Sequence, residues 1–282
     1  MFKLIATDID GTLINNNHLV TETTQEAFQK AKEAGYEVVI ATGRDYDSAS
    51  DIARDLGFEP DDIGIISNNG MHVAFPRGHY FVKESPMSYE DCKFFERIGE
   101  EFYMGILYLC RGMIYFQMDD RSLNDFEIGM DVDSMIYFND KLSTKRINSV
   151  EDIKQEIEDG LEVDKMVYIQ HPDYLELIKE RVVKKFPSEY TLLIVSEGWS
   201  EIMPRHINKG DALLKLAQHM DIQASEIISF GDSDNDLTLI QRAGRGVALA
   251  NARDTLKIIA DEISKFTNDE NGVALYIEQH LL

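Results

Sequence analysis

Leu4-Ile5-Ala6-Thr7-Asp8-Ile9-Asp10-Gly11-Thr12-Leu13 decides how the rest of the chain reads. The apolar run from Phe2 to Ala6 has the length and continuity of a short buried strand. It stops at two carboxylates one residue apart, followed by a glycine and a hydroxyl. Alternation along a strand sends Asp8 and Asp10 the same way. Gly11 lets the chain leave the sheet at a backbone angle that other residues resist. Two carboxylates this close repel each other, so a bound cation, a raised pKa or full exposure to water must compensate. Taken alone, the stretch is equally a solvated Asp-x-Asp turn, and the remaining sequence has to separate these readings.

The chain has 282 residues, 44% of them hydrophobic, enough to build one large core or two smaller ones. Its formal net charge is −23. A polyanion of this kind is repelled by nucleic acid and by anionic membranes unless one face is basic. The densest basic stretch is only Lys184-Lys185, so neither is an expected partner. Cys92 and Cys110 have no metal-type spacing and read as ordinary thiols of a reducing cytoplasm. The first strand begins at once, without a secretory leader, and no apolar run reaches membrane-spanning length. The expectation is a cytoplasmic protein with no obligate protein partner.

Thr23-Thr24-Gln25-Glu26 fits a capping box, with a helix after it that carries Ala27, Phe28, Ala31 and Ala34 on one face and stops at Gly35. Tyr36 to Ala41 is a second strand ending in Thr42-Gly43-Arg44, and a helix spans Ser48 to Leu56. Ile63 to Ser67 is a third strand, followed by the turn Asn68-Asn69-Gly70. Strand and helix in alternation imply a parallel sheet. The pattern then changes. A hairpin over Met71 to Phe75 and His79 to Lys83 leads into an α+β insert: a helix at Ser88 to Tyr103, strands near Leu107-Tyr108-Leu109 and Met113 to Met118, and an acidic stretch at Asp119 to Asp140. A helix at Ser149 to Glu158, a strand at Lys165 to Gln170, a helix at Asp173 to Phe186 and a strand at Tyr190 to Val195 follow. Pro86 and Gly198-Trp199 mark its expected borders, and its sheet is expected to be antiparallel. The first pattern returns with a helix at Asn208 to Met220, a strand at Glu226 to Phe230, a helix at Asp234 to Arg242, a strand at Gly246 to Ala250, a helix at Arg253 to Ala260 and a terminal helix from Gly272.

The strand before Gly231-Asp232-Ser233-Asp234-Asn235-Asp236 repeats the opening design: apolar residues, a glycine, then a burst of acids. Sites in open parallel sheets form beyond the carboxyl ends of the strands. If the two strands are neighbours, their ends lie about 5 Å apart and Asp8, Asp10 and Asp232 converge. An oxygen-only ligand set without His or Cys suits Mg²⁺. An acidic helix N-terminus at Asp232 to Asp236 explains one cluster, but not two at matching strand ends. Thr42-Gly43 can offer a hydroxyl and backbone N–H groups to a phosphoryl group, and Lys209 at a helix start can neutralise one. Singly, the first is an ordinary turn and the second a solvated lysine.

Together, Asp8-Ile9-Asp10-Gly11-Thr12, Thr42, Lys209 and Gly231 to Asp236 resemble the four ordered motifs of the haloacid dehalogenase superfamily. The long insert, with Asn251-Ala252 and Asn271-Gly272-Val273-Ala274, resembles its Cof-type phosphatases, which carry a large cap of the C2B type. The resemblance covers both flanking segments strongly and the insert only by position and rough pattern. It implies a Rossmann-like parallel sheet of order 3-2-1-4-5, residues 1–83 and 197–282 as catalytic core, and residues 84–196 as an inserted cap that sets substrate specificity. It also implies that Asp8 is a nucleophile forming an aspartyl-phosphate and that Asp10 is the general acid and base. Mg²⁺ would be held by Asp8, the backbone carbonyl of Asp10, and Asp232. Ile9, Thr42, Gly43, Lys209 and Asn235 would bind phosphate, with Ser233, Asp236 and Arg44 in support.

Arg44 could equally reach substrate or close a salt bridge, and Asn69-Gly70 either lines the pocket or is a plain turn. The seven histidines are scattered without metal spacing. The implied activity is hydrolysis of small phosphorylated metabolites, sugar phosphates among them. A phosphotransferase or mutase would use the same aspartyl-phosphate. A non-enzymatic phosphate-binding regulatory protein, such as a receiver-like domain, would be much shorter and would not carry an acid two residues after its acceptor.

Overall fold

The computed structural model describes residues 1–77, 81–84, 86–110, 112–118, 143–196 and 198–282. They form two compact units, one of Met1–Glu84 with Ile207–Leu282 and one of Ser85–His206.

The first unit is built on an eight-stranded sheet. Its strands are β1 (Leu4–Thr7), β2 (Glu37–Ala41), β3 (Gly64–Ser67), β4 (His72–Ala74), β5 (Phe81–Lys83), β12 (Ile227–Gly231), β13 (Arg245–Ala248) and β14 (Glu262–Ile263). The order is β14-β13-β12-β1-β2-β3-β4-β5. Every neighbouring pair from β14 to β3 is parallel, and β4 and β5 add an antiparallel edge. β12 pairs with β1 in the register Leu4↔Ile227 to Thr7↔Phe230, so the two acid-bearing strand ends are adjacent, as the sequence led us to expect.

Continuous apolar strands need cover on both faces. One face is packed by α1 (Glu22–Glu33), α2 (Tyr46–Asp55) and α9 (Gly272–His280), through Phe28, Ile52 and Ile277 against Ile5, Ile40 and Phe230. The other is packed by α6 (Lys209–His219) and α7 (Leu237–Arg242), through Leu213, Leu216 and Leu239 against Leu4, Ala6 and Val39. Odd and even positions of β1 therefore feed two different cores. The helix α8 (Asp254–Ile259) packs through Leu256 against Ile240 and Ala248.

Two local expectations change. The first helix starts at Glu22, with Thr21 as its N-cap accepting from Thr24 N, so the expected box at Thr23 and Glu26 lies inside the helix. In a run with hydroxyls at 21, 23 and 24, several residues can serve as the cap. The helix expected at Asp234 to Arg242 opens as a tighter turn over Asp234–Asp236 before α7 begins.

The second unit has a six-stranded sheet of order β10-β11-β9-β6-β7-β8. These strands are β6 (Gly105–Cys110), β7 (Met113–Gln117), β8 (Ser143–Arg146), β9 (Val163–Ile169), β10 (Tyr190–Ser196) and β11 (Trp199–Pro204). All pairs are antiparallel except β7 with β8. α3 (Tyr89–Glu101) and α5 (Pro172–Val183) pack Phe95, Ile98, Leu175 and Ile178 onto Tyr108, Met166 and Tyr168. The helix expected at Ser149 to Glu158 divides into a 3₁₀ turn, Val150–Ile153, and α4, Lys154–Glu158.

The chain leaves this unit about ten residues later than the expected border at 196/197, because Trp199–Pro204 is a strand of its sheet. That strand hides an ion pair: Lys165 and Glu201 meet with side chains 1% and 0% exposed. The acidic stretch Asp119 to Asp140, and His79 at the start of the expected hairpin strand, lie outside the described residues.

Candidate active site

β1 and β12 deliver their carboxylates side by side. Asp8 follows the last residue of β1, and its N–H donates to the carbonyl of Phe230 on β12 (3.1 Å). The chain then turns sharply over Ile9–Leu13, closed by Ile14 N donating to Ile9 O (3.1 Å). Gly11 sits at φ 72° within that turn, and a Cβ added there would collide with the Asp232 carboxylate. Only glycine combines that conformation with so close an approach. Asn251, just beyond β13, donates its amide to the Gly11 carbonyl (2.7 Å) and ties the turn to the next strand end.

Lys209 is fully buried between two acids. Its Nζ lies 2.6 Å from Asp8 Oδ1 and 2.6 Å from Asp236 Oδ1. The lysine is the first residue of α6, whose N-cap Asn208 accepts from Asp211 N. Asp236 is also held in place: its Oδ2 accepts from Asp232 N (3.0 Å) and Ser233 N (3.1 Å). Asp232 Oδ1 accepts from Thr12 Oγ1 (2.9 Å), a contact that sequence reasoning missed, although the place of Thr12 in the opening motif was a signal for it.

Oxygens of Asp8, Asp232 and Asp236 all lie within 4.8 Å of one another. Burial, then Asp236, push the Asp8 carboxyl well above its usual range, and Lys209 opposes them only in part. Asp232 is pushed up to about 7 by burial and by Asp236, against the Thr12 hydrogen bond and Lys209. Burial works against the charge of Lys209, but the two carboxylates outweigh it and hold the ammonium more firmly protonated than usual. The cluster thus carries more negative charge than one lysine offsets. Its donors are all hard oxygens, so the residues present fit a small divalent cation such as Mg²⁺.

Asp10 is not part of that carboxylate cluster. Its oxygens accept from Arg44 Nε (2.9 Å) and the Arg44 terminal nitrogen (2.5 Å), a two-pronged pair. Of the two possibilities left open for Arg44, the structure shows the salt bridge, and it is one to the expected acid–base residue. Thr42 is buried beyond the end of β2, with its N–H bonded to Ile66 O (2.8 Å) and its Oγ1 accepting from Arg44 N (3.1 Å). Asn235 donates to Asn69 Oδ1 (3.1 Å) and accepts from Ser233 Oγ (3.2 Å). Ile9 is buried in the core directly after Asp8. Gly43 lies close to both asparagines, within 4 Å of where its Cβ would be. Every residue singled out for the site in the sequence therefore lies at the carboxyl-end edge of β1, β2, β3 and β12 or at the start of α6.

An acid pair beyond β1, a hydroxyl beyond β2, a buried lysine opening a helix and an acid group beyond β12 define a hydrolase class. The sequence matches the haloacid dehalogenase-like hydrolases over residues 5–277. It is 30% identical over 297 residues to Phosphatase YwpJ of Bacillus subtilis, covering 99% of this chain and 100% of that one. It is also 30% identical to the 5-amino-6-(5-phospho-D-ribitylamino)uracil phosphatase YwtE of the same organism, over 99% of this chain and 98% of that one. A solved haloacid dehalogenase-like hydrolase from B. subtilis superposes with a TM-score of 0.82 at 29% identity, both chains covered in full. The chain belongs to the haloacid dehalogenase-like hydrolases, the superfamily its motifs resemble.

Proposed function

We propose that this protein is a Mg²⁺-dependent phosphatase of small phosphorylated metabolites, sugar and polyol phosphates foremost, working through an aspartyl-phosphate on Asp8. The observation that carries the reading is the buried Asp8–Lys209–Asp236 chain beside Asp232 at the ends of adjacent parallel strands. Relatives named as phosphatases along their whole length support the class, and one of them acts on a phosphorylated ribityl chain.

In this reading Lys209 orients Asp8 and offsets the phosphoryl charge, while Thr42, the Gly43 and Ile9 backbone and Asn235 seat the phosphoryl oxygens. Asp8 forms a bond to phosphorus as the ester oxygen leaves, and Asp10 gives that oxygen a proton. Asp10 then takes a proton from water, whose oxygen bonds phosphorus as the Asp8–phosphorus bond breaks. Phosphate departs, Asp8 is again a free carboxylate, and Asp10 again holds the proton with which it began. To carry a proton, Asp10 must give up one of its two Arg44 bonds, so Arg44 sets the resting orientation of the acid. Asp8, Asp232 and the backbone carbonyl of Asp10 would hold Mg²⁺, with Ser233 and Asp236 in support. Bound there, the ion supplies a Lewis acid that offsets charge on the phosphoryl group. The second unit would choose among substrates, and the reaction would take place in the cytoplasm.

Phosphate release from an aryl phosphate tests the reading. The parent protein with Mg²⁺ is expected to turn over, while excess chelator or Asp8→Asn takes turnover to background. Full activity in either condition would rule the mechanism out. Transfer to a second hydroxyl without free phosphate would instead show a phosphotransferase.

A further inference from the structure

The turn after β3 holds two consecutive non-glycine residues in the left-handed region, Asn68 at φ 47° and Asn69 at φ 55°. Asparagine tolerates that region better than most side chains, but two in a row are strained. Such strain persists where the surroundings over-determine it. Asn68 N donates to Arg44 O (2.7 Å) and Asn69 N donates to Thr42 O (2.9 Å), so the turn grips the Thr42-Gly43-Arg44 loop on either side of its glycine. Gly70, at φ 106°, then backs onto the start of α6: an added Cβ would lie 2.6 Å from the carbonyl of Asn208, the cap before Lys209. Three successive residues thus brace the Thr42 loop and the Lys209 helix.

The Asn69 side chain, 1% exposed as a residue, makes the third link. Its Oδ1 accepts from Asn235 Nδ2, and the same oxygen would stand 3.2 Å from a Cβ on Gly43, with Asn235 Nδ2 at 3.7 Å. A carboxamide presents a donor edge and an acceptor edge, and a half-turn exchanges them. Asn235 is fixed against that exchange at both ends, by Asn69 Oδ1 on its nitrogen and by Ser233 Oγ on its oxygen. The fixed orientation turns an N–H edge towards Gly43, and the reverse would offer an anion a carbonyl oxygen.

We infer that Asn69 is a positioning residue of the phosphoryl seat: its side-chain oxygen sets the amide orientation of Asn235 while its backbone holds Thr42 in place. The inference deepens the function proposed above and rests on its assignment of Thr42, Gly43 and Asn235 to phosphate. An aspartate at 69 would keep the acceptor but add a negative charge beside the anion. A glycine would keep the backbone angle and lose the oxygen.

The test is calorimetric binding of inorganic phosphate in Mg²⁺, with aryl phosphate kinetics and thermal unfolding, on Asn69→Gly, Asn69→Asp, Asn235→Ala and the Asn69→Gly/Asn235→Ala double variant. Asn69→Gly is expected to keep a cooperative unfolding transition, because glycine adopts this φ freely and the relief offsets part of the lost Asn235 hydrogen bond. It should nevertheless bind phosphate about tenfold more weakly, the worth of one buried hydrogen bond. In the Asn235→Ala background the same change should cost less than about twofold, since contacting residues couple. Asn69→Asp should hold the fold and weaken phosphate more than Asn69→Gly does. Unaltered phosphate affinity in any of the three single variants, or a full additive loss in the double variant, overturns the inference. If the parent binds phosphate yet hydrolyses no ester, the phosphatase reading fails, while the affinity comparison still decides the role of Asn69.

Discussion

Lys209 is enclosed by Asp8 and Asp236 with its side chain wholly out of solvent. Removing one member of a buried ion pair leaves an uncompensated charge, at a cost of about 3–5 kcal/mol. Lys209→Met is therefore expected to lose stability of that order in denaturant unfolding at neutral pH, and added Mg²⁺ should return part of it. Asp232 yields a second expectation. Its carboxyl rises from 3.8 to about 7 on folding in the absence of metal. The folded state then holds its proton more tightly than the unfolded one. The associated stability is fully present below about pH 4 and is lost as the pH rises through about 7, with the raised Asp8 acting in the same direction. A cation that takes over the proton's work should help most where the proton has gone. Thermal scans are expected to show a larger Mg²⁺-induced rise in Tm at about pH 8 than at about pH 5. An equal rise at both would place the cation away from these carboxylates.

The element that decides the site is the Ile9–Leu13 turn, and its weak point is Gly11. Alanine there must take up φ 72° and drive a methyl group into Asp232. The left-handed conformation alone costs roughly 1–2 kcal/mol. Gly11→Ala is expected to show at least that loss, with a higher Mg²⁺ concentration needed for half-maximal activity because Asp232 has been moved aside. Much of this element was legible in the sequence. Runs such as Ile227 to Phe230 are apolar because they are covered on both faces, and a solvated turn or an acidic helix start accounts for one acid group at a strand end, not for two side by side. Trp199–Pro204 was illegible for the opposite reason. Its Glu201 is buried against Lys165, 36 positions away, and no local pattern announces such a partner. Ser143–Arg146 reads as loop because all four side chains are exposed on an edge strand held by pairing with β7. The Arg44–Asp10 bridge spans 34 positions and could be weighed from the sequence, not decided.

In the molecule as a whole, the two chain crossings that bound the second unit lie close together on the first. Glu84 N donates to Met71 O (2.9 Å), and the neighbouring Gly70 rests against Asn208. A short flexible linker from Glu84 to Ile207 should therefore close the gap with little loss of closure entropy. The joined first unit has helices on both faces of its own sheet. It is expected to fold, to release phosphate from an aryl phosphate with Mg²⁺, and to lose the parent's ranking of metabolite phosphates. An excised protein that folds and ranks substrates as before would remove the second unit from substrate choice. The same sheet order sets the timing of biosynthesis. β1 is flanked by β2 and by β12, and its partner Ile227 is translated more than two hundred residues after Leu4. At about 5–20 residues per second, one edge of an apolar strand waits on the order of ten seconds or more on the ribosome. An unpaired edge of that kind invites association between nascent chains. A net charge of −23 spread along the polypeptide opposes such encounters, so the acidity finds a use before folding is complete.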